Sequence, residues 1–151
     1  MSGVRPARAE DLAALARIVA GTPLWQRYGV TLASAQAALE GGLARGEVLV
    51  IGPVGEPGGL AWVQPQAGFG RSPYLKWLGV SPGGNRRGLG RELLRGAEDA
   101  ARTVRPELIL LCSDFNRDGQ RFYEREGYAR VGALPDYVLP GVAELVYFKK
   151  L

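Results

Sequence analysis

The chain has 151 residues, a length that predicts a single domain (1–151) with a sizeable core. An apolar fraction of 46%, a charged fraction of 23% and a formal net charge of +4 are typical of a globular protein. The sequence has no histidine, which excludes His-based catalytic triads and histidine metal ligands. Its single cysteine, Cys112, can form neither a zinc site nor an internal disulfide.

Targeting and partner signals are equally sparse. The charged N-terminal segment lacks the apolar core of a signal peptide, and no stretch approaches the length that spans a membrane. The basic residues are scattered, without the aromatic and basic stripe of a nucleic-acid-binding surface. We therefore expect a cytoplasmic protein that binds no metal, no nucleic acid and no membrane.

The first half of the chain alternates short strands with amphipathic helices. Leu12, Leu15, Ile18 and Val19 lie on one face of a predicted helix, and Thr31 is a plausible N-cap for the next one. The predicted elements are a strand at 4–6, a helix at 10–20, a loop at 24–29, a helix starting after Thr31, and an antiparallel hairpin of strands 47–51 and 60–66.

The second half contains a strand, a glycine-rich loop and a helix in succession. The predicted elements are strand 74–80, a helix from Gly88, strand 108–112, helix 119–126, and strands 128–131 and 142–149. The resulting order, β-α-α-β-β-β-α-β-α-β-β, predicts an α/β fold with a mixed sheet. Strands 74–80 and 108–112 form its parallel pair.

The loop before the main helix has the features of an anion site. Gly88 and Gly90 lack a Cβ, so a ligand can approach the backbone amides at the helix start, where the helix dipole favours negative charge. Arg86, Arg87 and Arg91 lie at the same end, which disfavours cations unless an anion binds there.

Two common phosphate-binding motifs do not fit this loop. A dinucleotide fingerprint requires a third glycine where Leu93 stands, and a P-loop requires Lys and Ser or Thr where Leu89 and Gly90 stand. Taken alone, the segment could also be a simple strand-to-helix turn with solvated arginines.

Two motifs in register point to a family. Val80-Ser81-Pro82 followed by NRRGLG at 85–90 resembles the acetyl-coenzyme A loop of the GNAT superfamily of N-acetyltransferases, V-x-P-x-x-(Q/R)-x-x-G-x-(G/A). Asn116 followed by FYEREGY at 122–128 is similar to the second family signature, N-x(5)-FYE-x-x-G-(F/Y). The element order also resembles that of the family. The resemblance implies a GNAT fold, with a splayed parallel strand pair that holds the thioester.

The resemblance assigns residues to acetyl-coenzyme A (acetyl-CoA). Those that it places at the cofactor are Leu78, Gly79, Val80, Asn85, Arg86, Arg87, Gly88, Leu89, Gly90, Arg91, Asn116 and Tyr123. Asn85 departs from the family, which usually has Gln or Arg at that position. Asn116 has an alternative interpretation as a turn or helix cap.

Tyr123 matches the position of the family's general acid, since a phenol with an ordinary pKa of about 10 can protonate a departing thiolate. Its alternative is a core aromatic. Many members carry a basic Glu on the strand before the loop, but YLKWLGV has no carboxylate. The candidates for the base are Asp114 and a water relay. Cys112 is disfavoured as a nucleophile because apolar neighbours would raise its pKa.

The acceptor pocket is implied by the family to involve Trp25, Tyr28, Tyr74 and Tyr137, with Arg27, Phe69, Arg71, Asp136 and Glu144 nearby. Its aromatic walls and few charges suit a small molecule or peptide bearing a primary amine. The predicted function is acetyl transfer to that amine by direct attack. The alternatives are a non-catalytic module that binds acetyl-CoA and, more remotely, a nucleic-acid-binding domain. A homodimer is one assembly that the family implies.

Overall fold

The computed structural model describes residues 3–82 and 87–151, so the predicted cofactor residues Asn85 and Arg86 lie outside the described residues. The strands are β1 (Val4–Pro6), β2 (Val48–Ile51), β3 (Gly59–Gly68), β4 (Ser72–Val80), β5 (Glu107–Ser113), β6 (Ala129–Leu134) and β7 (Glu144–Lys150). The helices are α1 (Leu12–Ala20), α2 (Pro23–Arg27), α3 (Leu32–Ala44), α4 (Leu89–Arg102) and α5 (Arg117–Arg125), and a 3₁₀ turn (Ala9–Asp11) precedes α1.

The seven strands form one mixed sheet in the order β1-β2-β3-β4-β5-β7-β6. Every neighbouring pair is antiparallel except β4 and β5. The connection between these two parallel strands contains α4, as expected for a strand-helix-strand unit. The predicted mixed α/β fold and its parallel pair are therefore confirmed.

The parallel pair separates almost as soon as it forms. Its register contains only Tyr74 opposite Ile109 and Leu75 opposite Leu110. Beyond that point β4 continues to Val80 along β3, and β5 continues to Ser113 along β7. The sheet consequently opens into a gap between the carboxyl ends of β4 and β5.

Two apolar cores lie on opposite faces of the sheet. In the first, Leu93, Leu94, Ala97 and Ala101 of α4 pack on the central strands. In the second, α1 and α3 pack on β2 and β3, with Leu15, Val19, Ala35, Leu39 and Trp62 buried there. The central strand β5 is apolar and buried over most of its length, as its LILLC sequence predicts.

The predicted loop at 24–29 was wrong, because residues 23–27 form α2. Pro23 stands at the first turn of this helix, where the N–H that proline lacks is not needed for a helical hydrogen bond and its φ suits the helix. The other expected helices and strands are present, with ends shifted by up to three residues. Thr31 caps α3 as predicted, accepting from Ser34 N at 3.1 Å. In residues 3–82 and 87–151, no helix is both long and apolar enough to cross a bilayer.

Candidate active site

A cavity of about 1070 Å³ occupies the gap between β4 and β5. Its walls come from α2 and the residues after it, the second half of β4, the end of β5, the start of α4, one face of α5 and the start of β7. The separation of the two parallel strands therefore brings the two family motifs, which are far apart in the sequence, to one site.

The start of α4 lies at one end of this cavity. Gly88 is the N-cap residue, and its φ of +73° is a left-handed conformation that favours glycine. No side chain caps the helix, so the amides of the first turn lack the usual internal acceptor within the described residues. Gly88, Gly90 and Arg91 line the cavity. Such a terminus favours an anionic ligand.

Three arginines line the cavity, one from α4 and two from α5. Arg91 is 58% exposed, and its Nε lies 3.4 Å from Glu126 Oε1. Arg121 and Arg125 project from successive turns of α5, and Arg121 pairs with Asp118. Sequence reasoning missed Arg121 and Arg125, although their spacing of four residues on a short helix indicates one face. Arg87 and Leu89 do not line the cavity. The Arg87 side chain is exposed, and Leu89 packs against the core.

The end of β4 forms one long wall of the cavity. Leu78, Gly79 and Val80 all line it, and β5 pairs with none of them. Gly79 is needed for a packing reason, because a Cβ there would lie 2.6 Å from the Trp25 ring. Trp25 therefore covers the strand at Gly79, and its ring lies 5.5 Å from that of Trp77.

Tyr123 lines the cavity from α5, where its ring contacts those of Phe122, Tyr128 and Tyr147. Its hydroxyl has no hydrogen-bond partner in the described part of the chain. Burial raises the pKa of Tyr123 above its ordinary value, so the phenol stays protonated and able to donate at neutral pH. Burial likewise raises the pKa of Cys112, which also lines the cavity, to about 12, so its thiol is not an activated nucleophile.

Asn116 and Asp114 have defined roles in the chain's own structure. Asn116 lines the cavity and caps α5, with its Oδ1 accepting from Gly119 N at 3.0 Å. Asp114 is exposed and lies outside the cavity lining. Its Oδ2 accepts from Ala143 N at 2.9 Å, which holds the chain just before β7. The structure therefore does not bring Asp114 together with Tyr123.

Glu144 is the carboxylate at the other end of the cavity. It is 6% exposed and lies at the start of β7, opposite Ser113. Its Oε2 accepts a short hydrogen bond from the Tyr28 hydroxyl, and that hydroxyl lies 2.5 Å from Ser113 Oγ. Burial and Glu144 together raise the pKa of Tyr28 to about 12, so Tyr28 is the donor of this pair.

The sequence placed Glu144 near the acceptor pocket but assigned it no role of its own. The available signal was a single carboxylate in the apolar run VAELVYF. Of the predicted acceptor residues, Trp25, Tyr28 and Tyr74 line the cavity. Tyr137 does not, and it is 61% exposed.

Residues 44–130 match the acetyltransferase (GNAT) domain, which covers both the α4 loop and the α5 motif. The chain belongs to the GNAT family. Membership confirms the predicted family, the enzyme class of N-acetyltransferase, and acetyl-CoA as the cofactor. No curated protein sequence matches the chain.

Solved structures show the same GNAT fold over nearly the whole chain. A GNAT-family acetyltransferase from Desulfovibrio desulfuricans superposes with a TM-score of 0.80 at 21% identity, covering 97% of both chains. A ribosomal-protein-alanine N-acetyltransferase from Brucella melitensis superposes with a TM-score of 0.77 at 24% identity, covering 98% of this chain and 99% of its own. The acetyltransferase yncA from Salmonella typhimurium, solved with acetyl-CoA, superposes with a TM-score of 0.74 at 20% identity, covering 98% of this chain and 92% of its own.

Proposed function

We propose that this GNAT enzyme transfers the acetyl group of acetyl-CoA to a primary amine of a small molecule or peptide, by direct attack in a ternary complex. The observation that carries the proposal is that one cavity is lined by the uncapped start of α4, by the end of β4 beyond its pairing with β5, and by the Tyr123 phenol.

The residues of the gap fit acetyl-CoA. The first-turn amides of α4 and the side chains of Arg91, Arg121 and Arg125 suit its phosphates. The backbone of Leu78 to Val80, unpaired on the β5 side, suits the amide groups of its pantetheine arm, as an added strand would. Asn116 sits where it can face the same arm while it caps α5.

Acetyl-CoA supplies an activated acetyl group on a thiolate leaving group. A C–N bond forms to the acetyl carbon while the C–S bond breaks, and the ammonium form of the acceptor must lose two protons. Tyr123 donates its hydroxyl proton to the sulfur and regains one from the attacking nitrogen. The other proton requires a base. We do not favour Asp114 for this role, because its carboxylate is bonded to Ala143 N outside the cavity.

The acceptor end of the cavity supports an amine attached to an apolar or aromatic group. Trp25, Tyr28, Tyr74 and Trp77 form its aromatic walls, and Glu144 is the buried carboxylate beside them. The Brucella neighbour is named for a ribosomal protein alanine acceptor. A peptide N-terminus belongs to the same chemical class as small primary amines.

A non-catalytic acetyl-CoA-binding module is the weaker alternative. Its motivation was the missing carboxylate on β4, yet β7 brings Glu144 to the same cavity. The cytoplasmic location remains a proposal, supported by the buried free thiol of Cys112. The homodimer remains a prediction.

The experiment that tests the function is thioester consumption with acetyl-CoA across a panel of alkyl, arylalkyl and peptide N-terminal amines. Wild type should consume the thioester with at least one amine. Tyr123→Phe should lower kcat for that amine about 10²- to 10³-fold, because the leaving thiolate loses its proton donor. The control Tyr137→Phe should retain full activity. Turnover in Tyr123→Phe equal to wild type would contradict the role of Tyr123.

A further inference from the structure

Among the described residues, every buried carboxylate but one has a cationic partner. In residues 3–82 and 87–151 the buried carboxylates are Asp11, Glu98, Glu107 and Glu144. Asp11 pairs with Arg5 at 2.8 Å, Glu98 with Lys149 at 3.0 Å, and Glu107 with Arg105 at 3.8 Å. No ion pair in the described part of the chain includes Glu144.

The unpaired carboxylate is also the one that faces the cavity. Neither Asp11, Glu98 nor Glu107 lines it, whereas Glu144 does. Tyr28 donates to its Oε2, and its Oε1 has no hydrogen-bond partner among the described residues. A buried carboxylate without a cation is unfavourable, so this position is built for a positive group that arrives from the cavity.

We propose that Glu144 is the counter-ion and proton acceptor for the ammonium group of the acceptor. This inference rests on the proposed acetyl transfer, and it specifies the acceptor as a primary ammonium next to an apolar or aromatic group. Glu144 Oε1 takes the first proton from the ammonium nitrogen, which leaves the nitrogen lone pair free to attack. The Tyr28 hydroxyl positions the carboxylate by donating to Oε2, and a hydrogen bond with Ser113 Oγ positions the Tyr28 hydroxyl.

The groups around Glu144 leave it as the proton acceptor. Tyr28 faces it from the end of α2, Tyr74 from β4, and Cys112 and Ser113 from β5. Burial and the charge of Glu144 raise the pKa values of Tyr74 and Cys112 to about 12, so both stay protonated at neutral pH. The positive charge of Arg27 acts on Tyr28, and the Arg27 guanidinium stacks on Phe115, with its Cζ 3.6 Å from the ring centroid.

A binding experiment tests the inference without turnover. Benzylamine and its neutral counterpart benzyl alcohol are titrated into wild type and Glu144→Gln, with and without coenzyme A. Wild type should prefer benzylamine, and Glu144→Gln should bind it at least about 10-fold more weakly while benzyl alcohol is unaffected. Equal benzylamine affinity in both proteins, or no binding to wild type, would overturn the proposal.

Two further variants separate the charge from the surrounding structure. Tyr28→Phe keeps the carboxylate, so it should keep the preference for benzylamine over benzyl alcohol, and loss of that preference would count against Glu144. Glu124→Gln is the matched control, because Glu124 accepts from Tyr147 at 2.7 Å in a similar pair that does not line the cavity. It should bind both ligands as wild type does.

The proton step has its own readout. For the amine that wild type acetylates fastest, the loss of kcat/KM in Glu144→Gln should be about 100-fold at pH 7 and should shrink as the pH approaches the pKa of the amine. A loss independent of pH would indicate a merely structural role. If wild type fails to bind acetyl-CoA but prefers benzylamine through Glu144, the acetyl-transfer proposal fails, while the role of Glu144 as counter-ion for an ammonium group stands.

Discussion

Gly79 shows how one absent side chain shapes the acceptor end of the cavity. A Cβ on residue 79 would lie only 2.6 Å from the nearest atom of the Trp25 indole, which is too close for the two to coexist. Gly79→Ala should therefore displace Trp25 and raise the KM for the amine several-fold, with acetyl-CoA affinity less affected. Steady-state kinetics with each substrate varied would check this.

The matched control for that substitution is Gly132→Ala. Gly132 is also a strand glycine, but a Cβ there meets nothing within 4 Å. Its kinetic constants should equal those of wild type. An unchanged amine KM in Gly79→Ala would show that Trp25 is not part of the acceptor wall.

Local residue motifs predicted the cavity-lining residues at the start of α4. The glycines and Arg91 at the start of α4 follow from a local pattern, because a helix start and its amides are fixed by adjacent residues. Glu144 could not be singled out this way. Its significance depends on Tyr28, Ser113 and the absence of a cation, and these are brought together only by the fold.

At the scale of elements, Asp11 ties together three segments that the sequence shows as separate. Its carboxylate accepts from Arg5 of β1, from Arg8 N and from Gly55 N in the turn between β2 and β3. These bonds, with that of the Arg5 guanidinium first, lower the pKa of Asp11 from 3.8 to about 2. The folded state therefore favours the ionised carboxylate.

This shift predicts an acid-sensitive contribution to stability. The folded pKa lies below the unfolded one, so the stabilisation of about 2 kcal/mol is complete above about pH 5 and is lost as the pH falls toward 2. Urea unfolding of wild type and Asp11→Asn should differ most near neutral pH and converge in acid. The control is Asp99, an exposed carboxylate that forms an ion pair with Arg102. Because the pair is exposed, Asp99→Asn should change the free energy of unfolding by less than about 0.5 kcal/mol. A gap between wild type and Asp11→Asn that did not narrow in acid would contradict this account.

The type of an element could be predicted where the apolar periodicity of its sequence was strong. The prediction failed at α2, where the pattern is short and Pro23 has two interpretations. α1 and α4 each have a strong helical apolar pattern and were predicted, and α3, whose apolar pattern is weaker, was predicted together with its Thr31 N-cap. α2 has only five residues and no buried side chain, so its sequence carries no periodic signal. Pro23 is compatible with both a helix start and a helix stop, and only its tertiary position decides between them.

At the scale of the whole molecule, the site lies where two neighbouring strands of the sheet, β4 and β5, stop pairing with each other. The α4 core packs on both β4 and β5, the α1–α3 core packs on β2 and β3, and β4 and β5 pair with each other at only two positions. The order of elements indicated a parallel pair, but the extent of its separation is a property of register. Strand patterns do not encode that register by themselves.

The central claim is that acetyl-CoA binds in this gap with its phosphates at the start of α4. The most direct test is calorimetric titration of acetyl-CoA into wild type and a Gly88→Asp, Gly90→Asp double variant. A Gly46→Asp, Gly70→Asp double variant makes the same charge change at two open glycines that do not line the cavity. We predict binding to wild type and to the control, and its loss in the Gly88, Gly90 variant. Equal binding by all three proteins would contradict the account.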